Sequence, residues 1–242
     1  MILMSKQVIV DQSFWELFPE GAIYVMELTG IDNHKTEGDI ERFEQLLNQA
    51  VEKAERFFTE ETFSHNEVIA VWREAFKQFK TKKGARSSIE ALLKRASKGH
   101  SFRSINPLVD IYNSVSIEYG IPCGGETVDA IDGDMHLGTA QGGEAFRPLG
   151  EDEDSPALEG EMIYYDESGA ICRCLNWREA ERTMLTPETT HAILVIETVQ
   201  HDQRERAEEA LQTLRERCED YFGVPAQTYQ LTKDQPSAQL DA

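Results

Sequence analysis

The chain reads as an α+β protein, and three observations lead there. Segments with helical apolar spacing fill much of the first half, and the pattern turns β-rich from Pro122 onward. The two kinds of element also fail to alternate in the regular order that a doubly wound parallel sheet requires.

Lys6–Val10 and Ala22–Leu28 are strand-like runs. A helix is predicted over Thr36–Phe58, where Ile40, Phe43, Leu46, Leu47, Val51 and Ala54 recur at helical spacing. Another is predicted over Ser64–Phe79, with Ser64 as its cap and Val68, Val71, Trp72, Ala75, Phe76 and Phe79 as an apolar stripe. Ser87-Ser-Ile-Glu90 has the form of a capping box, in which two side chains satisfy each other's free backbone donors, and its helix runs to Gly99. Asn106-Pro107 opens the next helix: Asn suits the cap, and the donor that Pro lacks is not needed at the first position. Gly120 ends it. Beyond lie a hairpin-type turn at Asp132-Gly133 and strands at Leu137–Ala140, Gly160–Asp166, Ala170–Asn176 and His191–Val199. The acidic loop Gly150–Ser155 separates the first two of these strands. A last amphipathic helix covers Asp202–Phe222 and stops at Gly223.

The 242 residues fit one large domain or a compact domain with an added subdomain. Forty per cent apolar and 28 % charged residues describe an ordinary globular protein. No apolar run approaches the roughly 18 residues that span a membrane, and the opening Met1-Ile-Leu-Met4-Ser-Lys6 lacks the layout of a secretory signal. Met4 is an alternative initiator. A cytoplasmic location is therefore expected, with Cys123, Cys172, Cys174 and Cys218 as reduced packing thiols. Cys172 and Cys174 are spaced to share a strand face, but no second pair closes a tetrahedral metal site, so no metal or cofactor is expected.

The formal charge of −20 opposes a general affinity for nucleic acid, yet it is unevenly spread. Residues 71–110 carry ten Lys and Arg against three acids, a local +7 beside −27 for the remainder. This segment is either a solvated helical face or an RNA-contact patch on an acidic body.

Three segments in order resemble the B3/B4 editing (tRNA-binding) module of the phenylalanyl-tRNA synthetase β subunit and, more closely, its stand-alone relatives. The first is Arg103-Ser-Ile-Asn-Pro-Leu-Val-Asp-Ile-Tyr-Asn113, leading to Gly120-Ile-Pro122. The second is Ala140-Gln-Gly-Gly-Glu144 with Pro148-Leu-Gly150, followed by Gly160–Asp166. The third is Cys172-Arg-Cys-Leu-Asn-Trp-Arg178, similar to a C-R-x-x-N-W-R signature, continuing to Glu181-Arg-Thr183. The likeness covers residues 85–198 and implies an α+β module with mainly antiparallel sheets surrounded by helices. The expected layout is residues 1–84 as an α/β part packed on the core, 85–231 as the B3/B4-like core, and 232–242 as a frayed tail.

By that resemblance the chain is expected to be a trans-acting aminoacyl-tRNA deacylase that clears mischarged tRNA by ester hydrolysis, without ligase activity. Its expected partners are the tRNA acceptor end and an amino acid. A non-catalytic amino-acid or tRNA-binding module and a hydrolase of another small aminoacyl compound fit the same residues. Two stretches depart from the synthetase pattern: Gly124 falls where the family's editing histidine would stand, and Glu179-Ala-Glu-Arg-Thr183 replaces a Gly-Gly-Glu-His-Ser run. Tyrosine specificity therefore does not carry over.

Ester hydrolysis needs a positioned water, a base and oxyanion donors. The expected catalytic residues are Asn106, Glu126 and Glu144. Gly124, Gly125 and Gly143 let backbone approach a ligand. Asn176 and Arg178, sharing one face of a strand, join Glu181, Arg182 and Thr183 as substrate contacts. Lys82, Lys83, Arg86, Lys94, Arg95 and Arg103 are the expected RNA contacts. The scheme requires Asn106, Glu144 and Arg178 to surround one cleft.

Overall fold

The computed structural model describes residues 5–241, so the alternative start at Met4 lies outside the described residues. Two sheets form the framework. Strands β1 (Gln7–Val10), β4 (Met135–Thr139), β5 (Met162–Asp166), β6 (Gly169–Arg173), β7 (Arg178–Glu179) and β10 (Ser237–Gln239) make a six-stranded sheet in the order β10-β1-β4-β5-β6-β7. Strands β2 (Ala22–Thr29), β3 (Cys123–Thr127), β8 (His191–Thr198) and β9 (Gln227–Leu231) make a four-stranded sheet in the order β3-β8-β2-β9. Every strand pair is antiparallel except β1 with β4. The α+β class and the mainly antiparallel pairing agree with the sequence.

The four-stranded sheet is covered on both sides, which is why β2 and β8 read as continuous apolar runs without alternation. Tyr24, Met26, Leu28, Leu194 and Ile196 pack toward helices α2 (Asp39–Ala54), α5 (Pro107–Tyr119) and α6 (Arg204–Phe222). Ile23, Val25, Ile193 and Val195 face the other way, into a core with Met135, Leu137, Met162, Tyr164 and Ile171 of the six-stranded sheet. Helices α1 (Gln12–Leu17), α3 (Glu67–Ala75) and α4 (Ser88–Ser97) add Phe14, Trp15, Val68, Trp72, Ile89 and Leu93 to that inter-sheet core.

Helix α5 starts and stops as its sequence dictates. The Asn106 side chain accepts from the Val109 N–H at 3.1 Å, Pro107 takes the first position, and Gly120 closes the helix at φ 59°. Only half of the Ser87–Glu90 capping box forms. Ser87 Oγ accepts from the Glu90 N–H at 3.3 Å, but the Glu90 carboxylate is drawn to the Arg73 guanidinium at 2.5 Å. Helix α3 begins at Glu67 and not at Ser64, which lies in a 3-10 turn over Phe63–His65.

The C-terminal residues differ from expectation. Ser237–Gln239 pairs with β1, and Leu240 is buried in the inter-sheet core, so this segment is anchored where fraying was expected. Cys123–Thr127 is a strand despite its two glycines. The strand predicted over Ala170–Asn176 ends at Arg173, because Cys174 and Leu175 turn the chain with φ of 48° and 65°. Cys174 therefore does not share a strand face with Cys172. Among the described residues no helix is long and apolar enough to cross a membrane.

Candidate functional site

Between the two sheets lies a narrow cleft whose free interior is about 50 Å³. Strand register explains its walls. Gly124 pairs with Val195 and Glu126 with Ile193, so the even-numbered positions of β3 and the odd-numbered positions of β8 look into the space between the sheets. Val195 and Glu197 of β8 line one side; Met135, Tyr164 and Cys172 line the other. Glu179 of β7, the turn residues Leu175 and Asn176, and Ser88 at the start of α4 complete the rim.

Glycine at 124 is what keeps the cleft open, because a side chain there would begin 3.3 Å from Glu179 Oε1. Gly125 has a packing role instead: a Cβ would sit 2.4 Å from Leu194 Cδ2 and 2.9 Å from Leu185 Cδ1.

Three carboxyl groups converge on this mostly apolar space. Glu197 accepts from Tyr164 Oη at 2.7 Å and from Asn176 Nδ2, and burial still pushes its carboxyl up to about 7. Burial likewise raises Glu179 to about 7, with the Gly125 N–H pulling the other way. Glu179 remains partly exposed at the rim, so solvent relieves some of that burial. Glu126 is driven well above the usual carboxylate range, first by burial and then by the negative charge of Glu179. Glu126 Oε2, Thr183 Oγ1 and Ser88 Oγ are buried without a hydrogen-bond partner. Thr183 lies near enough to favour the ionised Glu126, but no bond between them meets hydrogen-bond geometry. Unpaired buried polar atoms cost about 1–3 kcal/mol each, a cost that a ligand with matching groups removes. The Cys123 and Cys172 thiols are pushed well above their ordinary range by burial, which leaves them neutral walls and not nucleophiles.

The expected site residues divide sharply. Gly124, Gly125, Glu126 and Asn176 line the cleft, and Thr183 is buried beside Glu126. The expected convergence of Asn106, Glu144 and Arg178 does not occur, since none of the three lines the cleft. Asn106 is spent as a cap: its Oδ1 also accepts from Asn33 Nδ2 at 3.1 Å, and its Nδ2 donates to the Leu185 carbonyl at 3.2 Å. Glu144 closes its own turn by accepting from the Gln141 and Gly142 N–H groups at 2.6 and 3.0 Å. Gly143 belongs to the same turn, its N–H donating to the Ala157 carbonyl. Arg178 is exposed and paired with Glu151. It parts from Asn176 because the Cys174–Leu175 turn breaks the two-residue alternation of a strand. Glu181 is exposed, and Arg182 clamps Asp166 through two bonds of 2.8 Å.

Of the expected RNA contacts, Arg86, Lys94 and Arg95 come together with Lys98 and His100 along an open groove on α4. Lys83 and Arg103 are exposed but outside it, and Lys82 donates to Ser155 Oγ at 2.6 Å.

Glu179, Glu197, Tyr164 and Ser88 were missed from sequence. Glu197 left a trace: it is the one charged residue in the apolar run Ala192–Val199, at a position sharing its face with Ile193 and Val195. Glu179 shows in sequence only as a departure from the synthetase pattern, because its place at the rim depends on the turn before it.

A family model described as the B3/4 domain matches residues 71–223. Among solved structures, the chain is similar to an N-terminal fragment of the phenylalanyl-tRNA synthetase beta-subunit from Pyrococcus horikoshii, at 12 % identity and a TM-score of 0.49. That likeness covers 97 % of this chain and 54 % of the fragment, so the chain spans about half of the fragment's length. No curated protein matches.

Proposed function

The chain belongs to the B3/4 domain family, and from that premise we propose that its cleft receives the aminoacyl group of a charged tRNA and hydrolyses the ester linking it to the ribose. The observation that carries this reading is the meeting of Glu126, Glu179 and Glu197 in one cleft, with Glu126 Oε2 unpaired.

Buried acids that have lost their water are stabilised by a cation. The substrate ammonium supplies one positive charge. Three acids exceed what one ammonium needs, so the cleft favours a second positive charge on the substrate side chain over an aromatic ring. Glu126 and Glu197 hold these cations from within, and the apolar walls of Met135, Leu175 and Val195 embrace the alkyl stem.

Glu179 is the general base. It stands at the rim, where water reaches it, and its affinity for a proton near pH 7 suits removal of a proton from an attacking water. The water oxygen bonds to the ester carbonyl carbon while Glu179 accepts its proton. The carbon–oxygen bond to the ribose then breaks, and the proton passes to the departing ribose oxygen. The products are the free amino acid and uncharged tRNA. Ser88 Oγ, which is buried without a partner at the cleft rim, is the proposed donor to the developing oxyanion.

The test is deacylation of the twenty aminoacyl-tRNAs together with basic non-protein analogues. Fastest release of a basic residue is expected. If the folded protein hydrolyses none while an amino acid still binds, the chain is a binding module. If small amino-acid esters are cleaved as efficiently as aminoacyl-tRNA, the strongly acidic chain is a hydrolase of small aminoacyl compounds.

A further inference from the structure

The ten basic side chains of residues 71–110 are not equivalent once folded. Arg73 is held by Glu90 and Lys77 by Glu74, each at 2.5 Å. Arg86, Lys94, Arg95 and Lys98 instead line one open, shallow groove along α4 with Ala91 and His100. No acidic side chain lines that groove. Arg95 is steadied by the Ser101 carbonyl at 2.8 Å and by the Phe102 ring 5.1 Å away. Among the described residues, none of these four cations is in an ion pair.

Lys94 and Lys98, four residues apart at the end of α4, repel one another, and an anion laid across the row relieves that repulsion. The rest of the chain is acidic, which concentrates attraction for a polyanion on the basic segment that holds this groove. The groove and the cleft share helix α4: Ser88, one turn before Ala91 of the groove, forms part of the cleft rim. From Ser88 to Lys98 the helix rises about 15 Å, or roughly four nucleotides at about 3.4 Å of stacked rise.

We propose that the α4 groove seats the phosphates of the tRNA 3′ end and carries the terminal aminoacyl group to the cleft at Ser88. The proposal rests on the proposed function for the identity of the RNA. The row of cations along one helix that also reaches the cleft rim fits a linear polyanion better than a membrane surface.

Binding of labelled, uncharged tRNA tests the proposal directly, measured between about 50 and 200 mM salt. The variants are Arg86→Gln/Lys94→Gln/Lys98→Gln and the corresponding triple Glu substitution, each checked for folding by circular dichroism. The expected result for the Gln variant is at least a roughly tenfold loss of affinity, with the log–log salt slope lowered by about 2 to 3. A folded Gln variant with the affinity and slope of the unsubstituted protein overturns the proposal. So does a wild-type protein that ignores tRNA and binds phosphatidylserine vesicles through the same residues. Hydrolysis does not enter this measurement. Groove-dependent tRNA binding by a protein that deacylates nothing upholds the dock and refutes the deacylase.

Discussion

Glu197 offers the sharpest physical test of the cleft, through the pH dependence of folding. Its carboxyl is buried at 4 % exposure and raised from 4.5 to about 7, mainly by burial. The folded state therefore holds this proton more tightly than the unfolded state does. Stability from this group is fully present below pH 4.5 and is lost as pH rises through about 7. A shift of about 2.5 units is worth about 3 kcal/mol at the limit, and most of it, about 2 to 3 kcal/mol, is lost between pH 5 and pH 8. Glu197→Gln removes the titration and leaves the shape nearly unchanged. The amide, like the protonated acid, offers one acceptor oxygen and a donor to Tyr164 and Asn176, and differences in their geometry leave the variant with a fixed deficit. That deficit is the same at every pH, and the informative quantity is the slope. Urea denaturation at pH 5, 6.5 and 8 should show the wild type losing about 2 to 3 kcal/mol more than the variant across this range. Parallel stability profiles for the two proteins would refute the claim that Glu197 is a buried, proton-holding acid.

Glu179→Gln should lower deacylation about 10² to 10⁴-fold while tRNA binding is kept, and the wild-type rate should rise with pH through about 7, both read by release of labelled amino acid. Gly124→Ala should change stability little, since the only neighbour within reach is the movable end of Glu179, but it should raise KM by narrowing the cleft. Gly125→Ala drives a methyl into Leu194 and Leu185 and should cost about 1 to 3 kcal/mol in urea denaturation. Asn106→Ala strips the α5 cap and leaves Asn33 and the Leu185 carbonyl short of partners, a loss of about 2 to 3 kcal/mol by thermal or urea unfolding, with kcat of the folded fraction little changed. A collapse of kcat without loss of stability would return Asn106 to the catalytic group.

What the sequence disclosed follows from how locally each feature is determined. The α5 termini, the α6 stop at Gly223 and the apolar strands β2 and β8 depend on a few adjacent residues, and all could be read. Strand β3 was obscured because two glycines weaken the strand signal, although each is there for a tertiary reason. The C-terminal strands were obscured because β9 and β10 lie at sheet edges, where polar side chains on a paired backbone look like a tail. Arg178 was misplaced because two non-glycine residues adopt positive φ just before it, and no composition rule announces that. Asn106 and Glu144 drew attention because they sit in motifs, but both motifs shape backbone: one caps a helix and the other closes a turn.

The absence of the editing histidine looks like a loss of chemistry when only the sequence is in view. In the fold, the place where a side chain at 124 would project is bordered by the Glu179 carboxylate, 3.3 Å from the missing Cβ. A histidine at 124 and a carboxylate at 179 would compete for the same volume. Glycine at 124 leaves the Glu179 carboxylate its room, and a side chain there would press it aside. Glu179 also adds an acid to a cleft that already holds Glu126 and Glu197, and the proposed preference for a cationic side chain rests on that meeting of acids.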